Sequence, residues 1–293
     1  MKDINIIRKI RDNDQLRASF NLLASSTFGI SFEEWYQKEF WTEKYDPFCC
    51  VVDDQVVANV SVNKLSLIVE GTKWRALQIG TVMTDPLYRN QGLSRLLMNN
   101  VLETYRNQYD IMYLFANQTV LNFYPKFGFQ AVAEYLYKME YQLEHIDVGT
   151  VQHLNVNNEN DLEFIYEFAK NRIPVSQAFS TIDSEELLMF YCLYVFPQHV
   201  YYLPEEDVII VCKQEKNDLH IYDLVSKKEV ILKKLLASIA NLETETILFH
   251  YTPDYNRLEI KKELYRGSEQ LFVKINSKLL LPKVFKHPLT SQA

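Results

Sequence analysis

Glycine is scarce in this chain, with seven in 293 residues, six at or before Gly149 and one, Gly267, after it. Loops that need unusual backbone angles are therefore concentrated in the first half. Cysteine is also sparse. Cys49, Cys50, Cys192 and Cys212 show no CxxC or Cys/His metal spacing. No metal is expected, and four buried, reduced thiols fit a cytoplasmic protein. No apolar run approaches the length of a membrane span, and the start, MKDINIIRKIRDNDQ, lacks the apolar core of a secretory leader. Basic residues are outnumbered, 31 against 38, for a net charge of −7. That argues against broad binding to nucleic acid or anionic membranes.

What remains is a globular composition, 47% hydrophobic and 24% charged, in a chain long enough for two cores. Asp14 to Ser25 has helical spacing, and Ser31 to Phe40 reads as a second helix with Ser31 as N-cap and Glu34 completing a capping box. Phe48 to Val52, Val56 to Val69 and Trp74 to Met83 read as an antiparallel meander, broken at Asp53-Asp54-Gln55 and Glu70-Gly71. Leu93 to Tyr105 is helical, Asp110 to Ala116 a short apolar strand, Asn122 to Lys126 a helical turn, and Phe129 to Tyr141 a strand. The second half repeats this grammar. Helices are expected over Asp161 to Lys170, Ser184 to Phe196 and Glu229 to Ala240. Strands are expected over His199 to Leu203, Val208 to Lys213, Leu219 to Val225, Thr246 to Tyr251 and Glu269 to Ile275. The boundary is placed at 145/146, and the final KHPLTSQA is expected to be loosely held.

The informative stretch is GTVMTDPLYRNQGLSRLLMNN, Gly80 to Asn100. A strand ends, a short basic loop follows, and a helix opens. Such a junction gathers unpaired N–H groups and the positive end of a helix dipole, a site suited to phosphate. Gly92 lets the backbone come close, Arg89 adds a charge, and Ser94 is small. A strand running parallel beside Trp74–Met83 needs a long crossover, and Leu93 to Tyr105 supplies it.

With its neighbour Asn117…Phe123-Tyr124-Pro125-Lys126-Phe127-Gly128-Phe129, this stretch resembles the GNAT superfamily of N-acetyltransferases over Asp3 to Tyr141. Ser94 stands where the family has Gly or Ala, and Val120 where it has Ala. The resemblance implies an α/β (α+β) fold, here as two GNAT-like units, each a mixed, mostly antiparallel sheet flanked by helices. Residues 1–145 would form the acetyl-CoA-binding catalytic domain, and 146–293 a degenerate unit lacking the pyrophosphate loop. It further implies that Val82, Met83 and Thr84 offer backbone groups to the pantetheine arm and thioester, and that Arg89, Asn90, Gln91, Gly92, Leu93 and Ser94 take the pyrophosphate. Asn117 would lie near the same slot, between strands that splay apart, and Tyr124 would be the general acid.

The general base is not visible. The histone-acetylating branch carries a Glu eleven residues before the loop's Arg, where this chain has Gln78, a carboxamide that cannot take the proton. Glu33, Glu34 and Glu39 lie on or near an early helix that often borders the acceptor, as ordinary solvated residues or as proton acceptors. Trp35, Tyr36, Phe40, Trp41 and Tyr45 read first as packing and second as a cavity wall. In the second half Ser226-Lys227-Lys228-Glu229-Val230 stands where the loop would recur, without glycine. The expected activity is acetyl transfer from acetyl-CoA to a primary amine of a small-molecule or protein acceptor. The alternatives are a non-catalytic acyl-CoA sensor and a GNAT-fold aminoacyl or peptidyl transferase. Tandem bacterial relatives share this plan, which is compatible with a homodimer.

Overall fold

The computed structural model describes residues 4–142, 149–255 and 258–293. Strand β1 (Asn5–Arg8) precedes helices α1 (Asp14–Phe28) and α2 (Glu33–Gln37). Strands β2 (Tyr45–Val52), β3 (Gln55–Val69) and β4 (Thr72–Thr84) follow, then α3 (Leu93–Thr104), β5 (Ile111–Asn117), β6 (Gln130–Val132) and β7 (Tyr135–Glu140). The second half runs β8 (Gln152–His153), α4 (Glu159–Lys170), β9 (Phe179–Ile182), α5 (Glu185–Tyr194), β10 (Val200–Leu203), β11 (Val208–Glu215) and β12 (Asp218–Ser226). It ends with α6 (Leu232–Ile239), β13 (Thr246–Phe249), β14 (Lys261–Leu264) and β15 (Glu269–Ile275).

The fold is α/β, with two mixed, mostly antiparallel sheets. The first is ordered β1-β2-β3-β4-β5-β15-β6, with β9 added along β3, and the second β14-β7-β13-β12-β11-β10-β8. Each has one parallel pair, β4 with β5 and β12 with β13, and each pair is joined through a helix. Read from β8, the second order matches the first position by position, and in both the sixth strand comes from the other half of the chain: β15 sits between β5 and β6, and β7 between β13 and β14. The expected boundary at 145/146 lies outside the described residues. A division there runs across sheets built from both halves.

Several expectations change. The strand foreseen over Phe129 to Tyr141 is two strands in different sheets, and the one foreseen at the end of the second unit, β15, completes the first. The second helix is shorter than Ser31 to Phe40. Its N-cap is Phe32 without a side-chain cap, and Glu39 sits at φ 64°, closed to helix. The Glu33 carboxylate bonds Arg17, Asn21 and Gln37 instead. The last residues are not loose. Lys286, His287, Thr290 and Ser291 are all buried, each with hydrogen-bond partners.

The halves are also locked by an aromatic cluster. Phe20, Phe32, Trp35, Trp41 and Tyr45 pack ring against ring and meet Phe190 of α5, with Trp35 at 6.2 Å and Phe32 at 5.4 Å. The Trp35 indole donates to the Glu186 carbonyl at 2.9 Å, and the Tyr194 hydroxyl accepts from the Trp35 amide at 3.0 Å. Buried edge-to-face pairs of this kind add about 0.5–1.5 kcal/mol each beyond the area they hide.

Candidate active site

β4 and β5 pair only from Ala76 with Ile111 to Ile79 with Leu114. Beyond that they separate, and Gly80–Thr84 and Phe115–Asn117 line opposite walls of a cavity of about 540 Å³. The separation has a local cause. Between the pairs Ser61–Gly80 and Asn59–Met83, β4 places Thr81 and Val82 against the single residue Val60. This bulge bends the strand and re-aims its groups. Thr81 is held at φ 50°, costly for a β-branched residue, by Asn59, whose amide donates to the Thr81 carbonyl at 2.7 Å, and by Tyr45, whose hydroxyl donates to Thr81 Oγ1 at 3.0 Å. The Tyr45 hydroxyl accepts in turn from Ser61 at 2.8 Å.

Past Thr84 the chain makes the basic loop. Asn90 and Gly92 both have positive φ, 62° and 81°, and Gly92 is the N-cap of α3 with no side-chain cap on the first turn. The first-turn amides are thus left for a ligand. A Cβ at Gly92 would meet nothing within 4 Å, so inside the chain itself the glycine is required by its backbone angle rather than by crowding. The loop is tied to the strand end twice: Thr84 Oγ1 lies 2.8 Å from Ser94 Oγ, and Arg89 Nε donates to the Thr84 carbonyl at 3.2 Å. Arg89, Asn90 and Gln91 are exposed, while Leu93 anchors the helix in the core. Asn117 turns its side chain onto the Thr119 amide, 3.0 Å away, at the other lip.

Tyr124 sits on a short 3-10 turn, packed against Phe123, Phe129 and Phe272. The residue is 4% exposed, lines the cavity, and its hydroxyl has no hydrogen-bond partner among the described residues. Burial pushes its pKa up to about 12, with the charge of Glu269 adding to the effect, so the phenol keeps its proton at neutral pH. Thus Val82, Met83, Thr84, Ser94, Asn117 and Tyr124 share one cavity, and Arg89 to Leu93 form the loop at its mouth. Of the early aromatics, Trp35 and Tyr45 both pack the core and face the cavity. Glu33, Glu34 and Glu39 are not among its lining residues.

Gln78 is fully buried and committed elsewhere. Its amide nitrogen donates to the Tyr113 hydroxyl at 3.2 Å and the Ser291 carbonyl at 2.8 Å, and its oxygen accepts from the Ala293 amide at 2.6 Å, an orientation assigned from these neighbours. Tyr113 then donates to His287 Nε2 at 3.0 Å, whose Nδ1 faces the Pro288 carbonyl at 2.9 Å. Every link runs in one direction. A carboxylate at 78 would face the Ser291 carbonyl with no proton to offer. The network leads residues 291–293 to the cavity, where the Ala293 backbone packs on Gly80 so closely that a Cβ there would lie 2.8 Å from it.

Several lining groups escaped the sequence: Glu269 on β15, Leu187, Phe190 and Tyr191 on α5, and Gln292 and Ala293. Each belongs to the second half of the chain, far in sequence from the loop, and no local pattern announces the approach. Among the described residues no cluster of three metal-ligating side chains exists, and no helix is long and apolar enough to cross a membrane. The four cysteines are free and buried, and burial pushes the Cys50 thiol up to about 11 and the Cys212 thiol up to about 12.

A sheet that opens between its parallel strands, above an uncapped helix with a left-handed glycine, is an arrangement shared with the GNAT fold. Residues 7–132 match the family model Acetyltransferase (GNAT) domain. Comparison with curated proteins gives no match. Among solved structures the chain is similar to a GCN5-related N-acetyltransferase from Kribbella flavida, at 18% identity, TM-score 0.59, covering 93% of this chain and 72% of that one. It is similar to a probable N-acyltransferase from Enterococcus faecalis V583, at 14% identity and TM-score 0.62, covering 94% and 73%. It is also similar to Eis1 from Mycobacterium abscessus, at 14% and 0.61, over 94% and 73%. At such identities these likenesses establish the fold alone, and they extend it over both halves.

Proposed function

We propose that the protein moves an acetyl group from acetyl-CoA to a primary amine of a small-molecule or protein acceptor, with Tyr124 as general acid. The observation that carries this reading is Tyr124 itself, a phenol held protonated by burial that lines the cavity and has no hydrogen-bond partner for its hydroxyl among the described residues. A core tyrosine would have bonded its hydroxyl to backbone. Here it can give its proton to a leaving thiolate. The acetyl thioester supplies the activated acyl carbon. The bulged end of β4 presents main-chain groups of Val82 to Thr84 toward it, and donors there can hold the developing oxyanion. The amides of Leu93, Ser94 and Arg95 and the Arg89 guanidinium suit a diphosphate. The uncapped first turn and the open space at Gly92 fit a phosphate group.

The test is incubation with acetyl-CoA, a thiol-detecting reagent and a panel of amines. CoA release that depends on an amine is the expected result. Tight binding with no release for any acceptor would replace this reading with that of an acyl-CoA sensor.

A further inference from the structure

β15 comes from the far end of the chain, yet its first residue, Glu269, pairs with Asn117, the last residue of β5, at the point where the cavity opens. Of the side chains lining that cavity, Glu269 is the one carboxylate among the described residues, and none of them is a histidine. Lys126 is the lone cation. The Glu269 carboxylate has no hydrogen bond or ion pair among the described residues, unlike Glu33, held by Arg17, or Glu134, held by Lys286. Its charge is felt by two phenols that line the same cavity, Tyr124 and Tyr191 of α5. The rest of the acceptor wall is apolar and aromatic: Phe32, Trp35, Leu187 and Phe190 beside Tyr191.

We propose that Glu269 is the proton acceptor of the transfer, and that the acceptor is a singly charged primary amine on an aromatic or aliphatic body. This rests on the reading of the cavity as an acetyl-transfer site. One carboxylate balances one ammonium, and aromatic faces suit both a cation and an apolar frame. A polycation would bring further charges that find no second carboxylate side chain there, only the like charge of Lys126 and neutral polar groups. The protons balance as follows. The ammonium gives one proton to Glu269, and the freed lone pair forms the C–N bond to the acyl carbon. The C–S bond breaks with its electron pair on sulfur, which takes the Tyr124 proton. The second nitrogen proton restores the phenol through cavity solvent, and Glu269 returns its own to bulk water. Ammonium and thioester enter; amide, thiol and one proton leave.

The surroundings suit a base. Glu269 is open to cavity solvent yet crowded enough that burial raises its pKa, with Glu134 adding and Lys286 opposing. The remaining titratable groups that face it are the phenols Tyr124, Tyr191 and Tyr265, all held protonated by burial.

The experiment compares wild type, Glu269→Gln and Glu269→Asp. Acetyl-CoA affinity is measured by calorimetry, and thiol release with 2-phenylethylamine, spermidine and kanamycin between pH 6 and 10. Phenylethylamine is expected to be the best acceptor. Glu269→Gln should keep its acetyl-CoA affinity and lose about 100-fold in kcat at pH 7. The loss should shrink as pH rises toward the amine's own pKa, and Glu269→Asp should recover part of the rate. An unchanged rate and pH profile in Glu269→Gln overturns the role of this residue. Acetyl-CoA binding by wild type with spermidine or kanamycin preferred, or with no transfer to phenylethylamine, overturns the acceptor class. Absence of acetyl-CoA binding by wild type would instead remove the reading of the cavity on which both depend.

Discussion

The two sheets carry the same device with different linings. β4 and β5 pair over four positions and part; β12 and β13 also pair over four positions, Asp218 with Thr246 to Ile221 with Phe249, and part. In the first sheet the opening leads to the cavity of Tyr124. In the second a buried ion pair holds the end of β12, and a cavity of about 580 Å³ lies beyond it, against Leu224, Ser226, Val230, Leu232, Asp254 and Tyr255. Asp223, two residues past the last pair, takes both guanidinium nitrogens of Arg172, at 2.8 and 2.6 Å, and the Thr290 hydroxyl at 2.7 Å. The Leu289 amide bonds the His250 carbonyl at 3.1 Å, and the Ile173 amide the Ser226 carbonyl at 2.8 Å. A parted pair of parallel strands is therefore only a template. The loop beyond it and whatever chain enters the gap decide whether it binds a ligand.

The largest way to test that contrast is Gly92→Leu. A left-handed leucine costs about 1–2 kcal/mol, a few degrees in Tm for a chain of this size, and its side chain would project into the open space where phosphate must come. Acetyl-CoA affinity should fall more than about 100-fold, roughly 3 kcal/mol, with the fold intact by circular dichroism. Unchanged affinity by calorimetry would free the loop of its assigned role. Tyr124→Phe comes next. It should lower kcat about 100-fold while acetyl-CoA affinity stays within about twofold, and equal turnover would pass the proton to water. Gln78→Glu probes the network that brings residues 291–293 to the cavity. It restores a carboxylate at the familiar position yet leaves the Ser291 carbonyl facing another acceptor. It should cost about 1–3 kcal/mol in denaturant unfolding and raise no rate. A gain in kcat would show that position 78 can still act as a base.

How much of this was legible in the sequence follows from the range of the interactions. The bounds of β15 and most of α3, β3 and β5 could be read from periodicity, because burial on one face imprints itself on neighbouring residues. The glycine loop and Tyr124 could be read because a phosphate site and a turn need particular residues at fixed offsets. β15 was foreseen as a strand but not in its sheet. Hydrophobic alternation states which face is buried, never against which neighbour. Glu269 was hidden for the same reason. The Thr81 bulge left no signal in a β-branched run, and residues 286–291 looked like a polar tail because their partners, Glu134, Thr181 and Asp223, lie between 67 and 153 residues away.

Acid should act on the segment that joins the two gaps. His287 is 1% exposed, and burial brings its pKa down to about 3. Between pH 6.5 and 3 the unfolded chain holds a proton that the folded one refuses, so this contribution is complete above pH 6.5 and is lost as pH falls. At pH 5 the loss is about 2 kcal/mol. His287→Gln, which keeps a donor and an acceptor without titrating, should show a shallower fall in stability from pH 7 to 5 than wild type. Parallel curves would mean that other groups set the acid response.

The smallest expected effect is the most direct test of the contrast. Val230→Gly puts a glycine into the loop of the second sheet, just ahead of α6, whose first turn also lacks a side-chain cap. If a glycine alone made the difference between the two openings, calorimetry would find a second acetyl-CoA per chain. We expect one, as in wild type. The loop is already braced by Ser226, whose hydroxyl accepts from the Lys228 amide and donates to its carbonyl. Opening the gap behind it would also mean separating Arg172 from Asp223, which are 10% and 2% exposed at their side chains. Parting such a buried pair costs about 3–5 kcal/mol, more than a flexible loop can return. A second binding event would show instead that the loop, and not the plug of Asp223, Arg172 and Thr290, keeps the second half silent.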